Sequence, residues 1–417
     1  MNKRFSVNPE FFGGIIKDKI CKENYSIDKL TYDLINFLSG NISPQVFLEK
    51  NSEDFREVLE LLFELKQIGV LDLNAEIKEA KINSNKLSAP LRIFYDITYG
   101  CNLRCKHCFS NSGNNNAQEL TLDEKNMLIR QMKELGTSRI SIAGGEPFFC
   151  KDFFPFIEEC RKSNIEVSVS TNGLCLNEEI VKKLNSLELK TITVSVDGGC
   201  EESNDAVRGK GSFKKVINGL NVLKNFCSLN YCIKMTIMRT NMGDIEKIIK
   251  LGIKSGCKSV KFNCVREDGR AHENKELVVL SREEYINVLK EIESLKKKYK
   301  GEIKIKAPLN IYCPDEYMYI EELGFGCFAG KESICIDALG NVRACSHFPK
   351  EYIAGNIREN SLLEIWNNSS QLNLFRDLEG NIDCNSCKVY DKCRGGCRYR
   401  AYLNGDINGK DPYCFIN

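Results

Sequence analysis

Cys101, Cys105 and Cys108 fall in one run of eight residues, CNLRCKHC, between Gly100 and Phe109. Thiolates are soft ligands that select iron–sulfur clusters and zinc. Three at this spacing can hold three irons of a [4Fe-4S] cluster, which normally takes four cysteines. One iron then stays open for a small molecule that offers an amine and a carboxylate. A second set lies near the end of the chain. Cys327 is followed by Gly340 and Cys345, and then by Cys384, Cys387, Cys393, Cys397 and Cys414.

Loops after strands must carry the first set. From Leu91 to about Ala271, apolar strands alternate with amphipathic helices. The strands run over 91–98, 139–143, 166–171, 191–197, 234–238 and 259–263. The main helices run over 122–135, 153–162, 178–187, 213–226 and 245–254. Six β–α units in sequence predict a parallel sheet with helices outside it. Six are too few for a closed eight-stranded barrel, so the expected fold class is α/β, a partial (β/α)6 barrel.

In such folds chemistry gathers at the C-terminal ends of the strands. The cysteine triad follows the first strand. Gly144, Gly145 and Glu146 follow the second, where the glycines let backbone approach a ligand closely. Ser170 and Asn172 close the third, and Ser195 closes the fourth, with Arg208 beyond it. An Arg fork suits a carboxylate.

These motifs, in this order, resemble the radical S-adenosylmethionine (radical SAM) superfamily. The resemblance implies that Glu146 meets the methionine ammonium. It further implies that Ser170 and Asn172 lie at the ribose, that Ser195 and Arg208 hold the methionine carboxylate, and that His107 stacks on adenine. The alternative for His107 is a solvated loop residue. The C-terminal cysteines resemble the SPASM domain, which binds two auxiliary [4Fe-4S] clusters, and three clusters are therefore expected in all. A zinc ribbon is the alternative, because CxxC pairs also bind zinc. By resemblance Cys384, Cys387, Cys393 and Cys414 serve the distal cluster, and Cys327, Cys345 and Cys397 the proximal one. The fourth proximal ligand is Cys313 or nothing. Cys335, in an apolar run, reads as a buried strand side chain.

Residues 5–26 read as a small antiparallel sheet. Helices follow from Leu30 to Leu38, from Ser43–Pro44, and from Ser52 to Ile68. This is a winged-helix-like module. Acidic residues outnumber basic ones there, which disfavours DNA binding. Ahead of a radical SAM–SPASM core, it resembles the RiPP recognition element, which binds the leader of a precursor peptide. The polar stretch from Asn74 to Ser88 reads as a linker. The expected domains are 1–80 for leader binding, 90–280 for the radical SAM core, a bridging segment over 281–326, and a Cys-rich SPASM domain over 327–417.

Composition narrows the function classes. The chain has 417 residues, 42% of them hydrophobic, and a formal net charge of +2. No global field favours nucleic acid or an anionic membrane. The start lacks a signal-peptide pattern, so a cytoplasmic location is expected. The 21 cysteines are then not a disulfide framework. Cys160, Cys227, Cys232 and Cys257, which stand apart, read as small buried hydrophobes.

The resemblance implies a peptide maturase. Reductive cleavage of S-adenosylmethionine gives a 5′-deoxyadenosyl radical that takes hydrogen from a C–H bond, and the auxiliary clusters accept the second electron. A Cys thioether crosslink fits this chemistry. Alternatives are a carbon–carbon crosslink, anaerobic sulfatase-type maturation, or a redox-sensing regulator. An electron donor such as flavodoxin or ferredoxin is implied.

Overall fold

The computed structural model describes residues 5–18, 24–39, 41–43, 46–47, 76–77, 87–113, 118–306, 327–378, 384, 387, 393 and 395–414. The chain divides into two compact units, one built mainly from residues 1–90 and the other from 91–313 and 326–417.

In the first unit, β1 (Phe5–Glu10), β2 (Gly13–Asp18) and β3 (Asn24–Asp28) form an antiparallel meander. Gly13 makes the first turn. Its φ is +143°, and a Cβ there would sit 2.2 Å from the Asp28 backbone, so only glycine fits. The helix Lys29–Leu38 is capped by the Asp28 carboxylate, which accepts from the Thr31 N–H. Its apolar face joins Val7, Ile16 and Phe47 in one core. Ser43 accepts from the Val46 N–H and so starts a second helix. The expected helix over 52–68 lies outside the described residues. The linker expectation needs correction. Glu76 and Ile77 form β4, paired in parallel with β1, and Ser88 donates to the Glu10 carboxylate through both its N–H and its hydroxyl. Short apolar content hid this strand; its partner is more than sixty residues away.

The second unit is built on one sheet. β5 (Arg92–Asp96), β6 (Arg139–Ala143), β7 (Glu166–Thr171), β8 (Thr191–Ser195), β9 (Tyr231–Ile237) and β10 (Ser259–Cys264) are parallel neighbours in chain order. These are the six expected strands. The described sheet continues at both edges. β11 (Lys304–Lys306) pairs in parallel with β10. β12 (Ser333–Ile336) pairs in parallel with β5 and leads into antiparallel β13 (Asn341–Arg343) and β14 (Ile353–Asn356). The cysteine-rich region thus begins as a direct extension of the barrel sheet.

Strand periodicity assigns the two faces. Tyr95 packs on Phe156 of the helix Phe153–Lys162, with ring centroids 5.6 Å apart. Ile93, Ile140, Ile142, Val169, Ile192, Val194, Ile233 and Val260 are likewise buried under helices. The alternate residues turn to the concave inner face, and these are mostly polar. Five helices match expectation within about one residue. The helix Glu201–Arg208 was not anticipated. Cys160, Cys232 and Cys257 are buried as expected, whereas Cys227 is only half-buried.

Candidate active site

The loop after β5 is fixed by its own backbone before any ligand is considered. Cys101 donates its N–H to the Gly113 carbonyl, and Gly113 donates to Tyr99. Glu146 donates its backbone N–H to the Gly100 carbonyl at 2.8 Å, and Gly145 donates to Thr98. A Cβ on Gly144 would lie 2.4 Å from the Thr98 oxygen, and one on Gly145 would lie 2.2 Å from the Gly100 oxygen. The described approach these glycines allow is to the cysteine loop itself.

Glu146 is fully buried. Its carboxylate accepts from the Thr171 hydroxyl and from the Asn172 N–H, both at 2.7 Å. It therefore ties the end of β6 to the end of β7. Burial pushes its carboxyl up to about 7, against the opposing pull of these donors. A carboxylate has about four acceptor positions, so capacity is left for a cation. The Asn172 side chain donates to Asn102 at 2.7 Å and lies 3.9 Å from the Cys101 sulfur. Ser170 and Ser195 are half-buried on the inner face.

His107 and Arg208 meet at a residue that the sequence reading passed over. Asp197 is fully buried. Its Oδ2 lies 2.7 Å from Arg208 Nε and 3.3 Å from His107 Nε2. The Arg208 contact is an ion pair without hydrogen-bond alignment. Burial opposes the Arg208 charge, but the Asp197 and Cys105 charges outweigh it and raise its pKa. His107 is 13% exposed at its side chain, so it is not a solvated loop residue. Burial drives its pKa down to about 4 despite Asp197, and the ring is neutral. Its Nδ1 is buried and has no hydrogen-bond partner. The resemblance put Arg208 on the methionine carboxylate; here it already has one carboxylate inside the protein.

Another group comes from the end of β10. Arg270 donates to the Cys105 and Ser112 carbonyls, at 2.8 and 3.0 Å, and its N–H reaches Cys108. Gly269 adopts a φ of +51°, and a Cβ there would sit 2.4 Å from the Cys108 oxygen. The Gly-Arg pair after a sixth strand was the available signal, since it obeys the same strand-end rule as the other motifs.

The triad fits an iron–sulfur cluster. All three thiols are free and partly exposed. Burial raises Cys105 to about 11 against the opposing charge of Arg208, with Asp197 and the other two sulfurs adding to the rise. Three soft ligands thus share one loop, with the Arg208 cation beside them. Among the described residues no three His, Cys, Asp or Glu side chains close on a single-ion site; a four-iron cluster does not need them to, because each corner iron takes one thiolate.

The C-terminal cysteines sort into two electrostatic neighbourhoods. Burial and the charge of Cys397 raise Cys327, and Cys345 is raised by burial and then by Cys335 and Cys327. Cys384 is raised by burial and by Cys414 and Cys387; Cys393 is pushed to about 11 by burial, with Cys414 and Cys384 adding to it. The net shift of Cys397 is downward, because Arg266 and Arg400 outweigh burial. Cys335 lies on β12 as expected, but on the inner face opposite Ile334 and Ile336. Cys313 lies outside the described residues.

Residues 95–252 match the Radical SAM superfamily and residues 327–397 match an iron–sulfur cluster-binding domain, SPASM. An AdoMet-dependent heme synthase of Methanosarcina barkeri is 31% identical over 352 residues, 78% of this chain and 97% of that protein. The chain belongs to the radical SAM superfamily. The mycofactocin maturase MftC of Mycobacterium ulcerans is 27% identical over 339 residues, covering 79% of this chain and 88% of the relative. Among solved structures, Streptococcus suis SuiB bound to precursor peptide SuiA superposes with a TM-score of 0.76 at 18% identity, over 100% of this chain and 99% of that one. The protein is a radical SAM enzyme whose cofactors are S-adenosylmethionine and [4Fe-4S] clusters. No helix among the described residues is long and apolar enough to cross a membrane.

Proposed function

We propose that this radical SAM enzyme installs a Cys thioether crosslink in a ribosomally made precursor peptide. The carrying observation is the coverage of the SuiB likeness. It takes in the whole chain, and so includes the N-terminal sheet module that the curated relatives' 77–79% overlap leaves no need for. On this reading residues 1–80 bind the leader, 90–280 form the radical SAM core, 281–326 bridge, and 327–417 carry two auxiliary clusters. A flavodoxin or ferredoxin supplies electrons.

Bound at Cys101, Cys105 and Cys108, the cluster and S-adenosylmethionine supply the one-electron chemistry that breaks a C–H bond. The chain's own residues position and shield. Glu146 offers its remaining acceptor capacity to the ammonium. Ser170 and Asn172 stand at the ribose, while Ser195 and Arg208 stand at the carboxylate. Asp197 holds Arg208 and the neutral His107 in place, and His107 turns its ring toward the adenine. Cys327, Cys345 and Cys397 hold the proximal cluster, and Cys384, Cys387, Cys393 and Cys414 hold the distal one.

A second reading is porphyrin modification, favoured by the 31% identical relative. Co-expression with a short Cys-bearing reading frame encoded beside the gene separates the two. The expected product is lighter by two hydrogens per crosslink in mass spectrometry. An unmodified peptide, with turnover of a porphyrin instead, would overturn the proposal. Deleting residues 1–80 should weaken precursor binding at least tenfold in a titration; unchanged affinity would remove leader binding from that module.

A further inference from the structure

The inner face of the sheet carries a row of like charges. Lys234 of β9 stands directly opposite Lys261 of β10, and Lys261 stands directly opposite Lys306 of β11. Ser195 of β8 is the next residue in the same row. The face is fixed by packing. A Cβ on Gly252 of the helix Ile245–Lys254 would lie 2.5 Å from a Val260 methyl, so Val260 lies under that helix and Lys261 projects inward. Ile233 pairs with Val260 and is fully buried, which turns Lys234 inward by the same alternation.

Neighbouring strands lie about 4.8 Å apart, and like charges directly opposite destabilise a sheet. Neither the Lys234 nor the Lys261 ammonium makes a hydrogen bond or an ion pair with a described residue. The acid whose charge acts on Lys234 is Asp197, which already serves Arg208 at 2.7 Å. Arg266 and Arg208 add positive charge to the same space. Burial, and then Lys261, lowers the Lys234 pKa. The Lys234 charge also acts on both His107 and His347. His107 belongs to the triad loop, and His347 follows Cys345. The ammonium therefore faces the same inner space as the triad loop and the segment after Cys345.

We propose that Lys234 and Lys261 form a carboxylate site for the substrate, and that its occupant is an acidic side chain of the core peptide near the modified residue. The site rests on the peptide reading above for its occupant, not for its charge. Two unpaired ammonium groups in a partly desolvated space suit one carboxylate better than any neutral side chain.

The test uses anaerobically reconstituted full-length enzyme saturated with S-adenosylmethionine. The probes are N-acetyl-glutamic acid amide and N-acetyl-glutamine amide, followed by ligand-detected NMR titration. The acid should bind at least tenfold more tightly than the amide. Lys261→Gln and Lys234→Gln should each erase that difference, and Lys261→Arg should keep it, which guards against a folding defect. Equal binding of the two probes, or a preference that survives both Gln variants, overturns the proposal. So does a larger loss of S-adenosylmethionine affinity than of probe preference, which would give the lysines to the cofactor. Coproporphyrin III, a tetracarboxylate, is the third probe. Lysine-dependent binding of it, with neither amino-acid probe bound, would keep the carboxylate site and sink the peptide reading instead.

Discussion

The two cysteine-bearing regions are held in opposite ways. The triad loop is tied at every step to strand ends. Gly100 accepts from Glu146, Cys105 and Cys108 are fastened by Arg270, and Asn172 reaches Asn102. Its geometry follows from a parallel sheet whose strands are buried on the outer side. Among its described residues, the C-terminal region leans on β12–β14, short helices and a ring cluster of Phe348, Tyr352, Phe375, Tyr399 and Tyr402. Its described end is organised by two arginines and one acid. Arg398 donates to the Gly395, Ile407 and Gly409 carbonyls, while Asp411 accepts from Arg400 and from the Cys397 N–H. The first region is a scaffold that receives a metal group. The second has an apolar core of its own around Trp366, Phe375 and Phe348, and metal ligation adds to the folding energy of its cysteine-bearing end.

The largest effect should come from the triad. Replacing Cys101, Cys105 and Cys108 together by Ala is expected to abolish 5′-deoxyadenosine formation, measured by chromatography under dithionite. About eight of twelve irons should stay bound. Residual product would break the assignment of the first region. Loss of all iron would show that the two regions are not independent.

Removing the metal sharpens the contrast from the other side. Chelation of iron should raise amide exchange about a hundredfold or more across residues 395–414, read by mass spectrometry, and change β6 and β7 much less. Equal change in both segments would mean that the barrel also relies on metal for order.

Next in size is the buried ion pair at the first site. Asp197→Ala leaves the Arg208 guanidinium buried without its partner, and breaking such a pair costs about 3 kcal/mol. A lower midpoint in denaturant melts of the apoprotein is the expected outcome. The double change Asp197→Ala with Arg208→Met should recover part of the loss, because it removes the stranded charge. If the single variant melts like the parent, the Asp197–Arg208 contact is not what fixes the strand end.

What the sequence disclosed follows the same divide. Six strands, their order and the motifs at the first four strand ends were legible, because apolar alternation and the strand-end rule are local signals. Asp197 was hidden because a buried acid at a strand end looks like any turn residue until Arg208 folds back onto it. β4, β11 and the joining of β12 to β5 were hidden for a related reason. Each short strand is defined by a partner distant in sequence, and Cys335 changed from the apolar face to the inner face once that pairing set its register.

The smallest predicted effect tests whether the pre-formed ties of the first region also serve the ligand. Glu146 has a folded-state pKa near 7, above its ordinary 4.5. The fold therefore favours the protonated acid, and this contribution to stability is lost as pH rises from about 4.5 through about 7. A bound ammonium reverses the preference, since only the carboxylate pairs with it. S-adenosylmethionine affinity should then fall about fivefold between pH 7 and pH 6, as the ionised fraction drops. Glu146→Gln should bind more weakly and lose that slope in equilibrium titrations. A slope that persists in the variant would place the titrating group elsewhere, and Glu146 would then be a tie between β6 and β7 and no more.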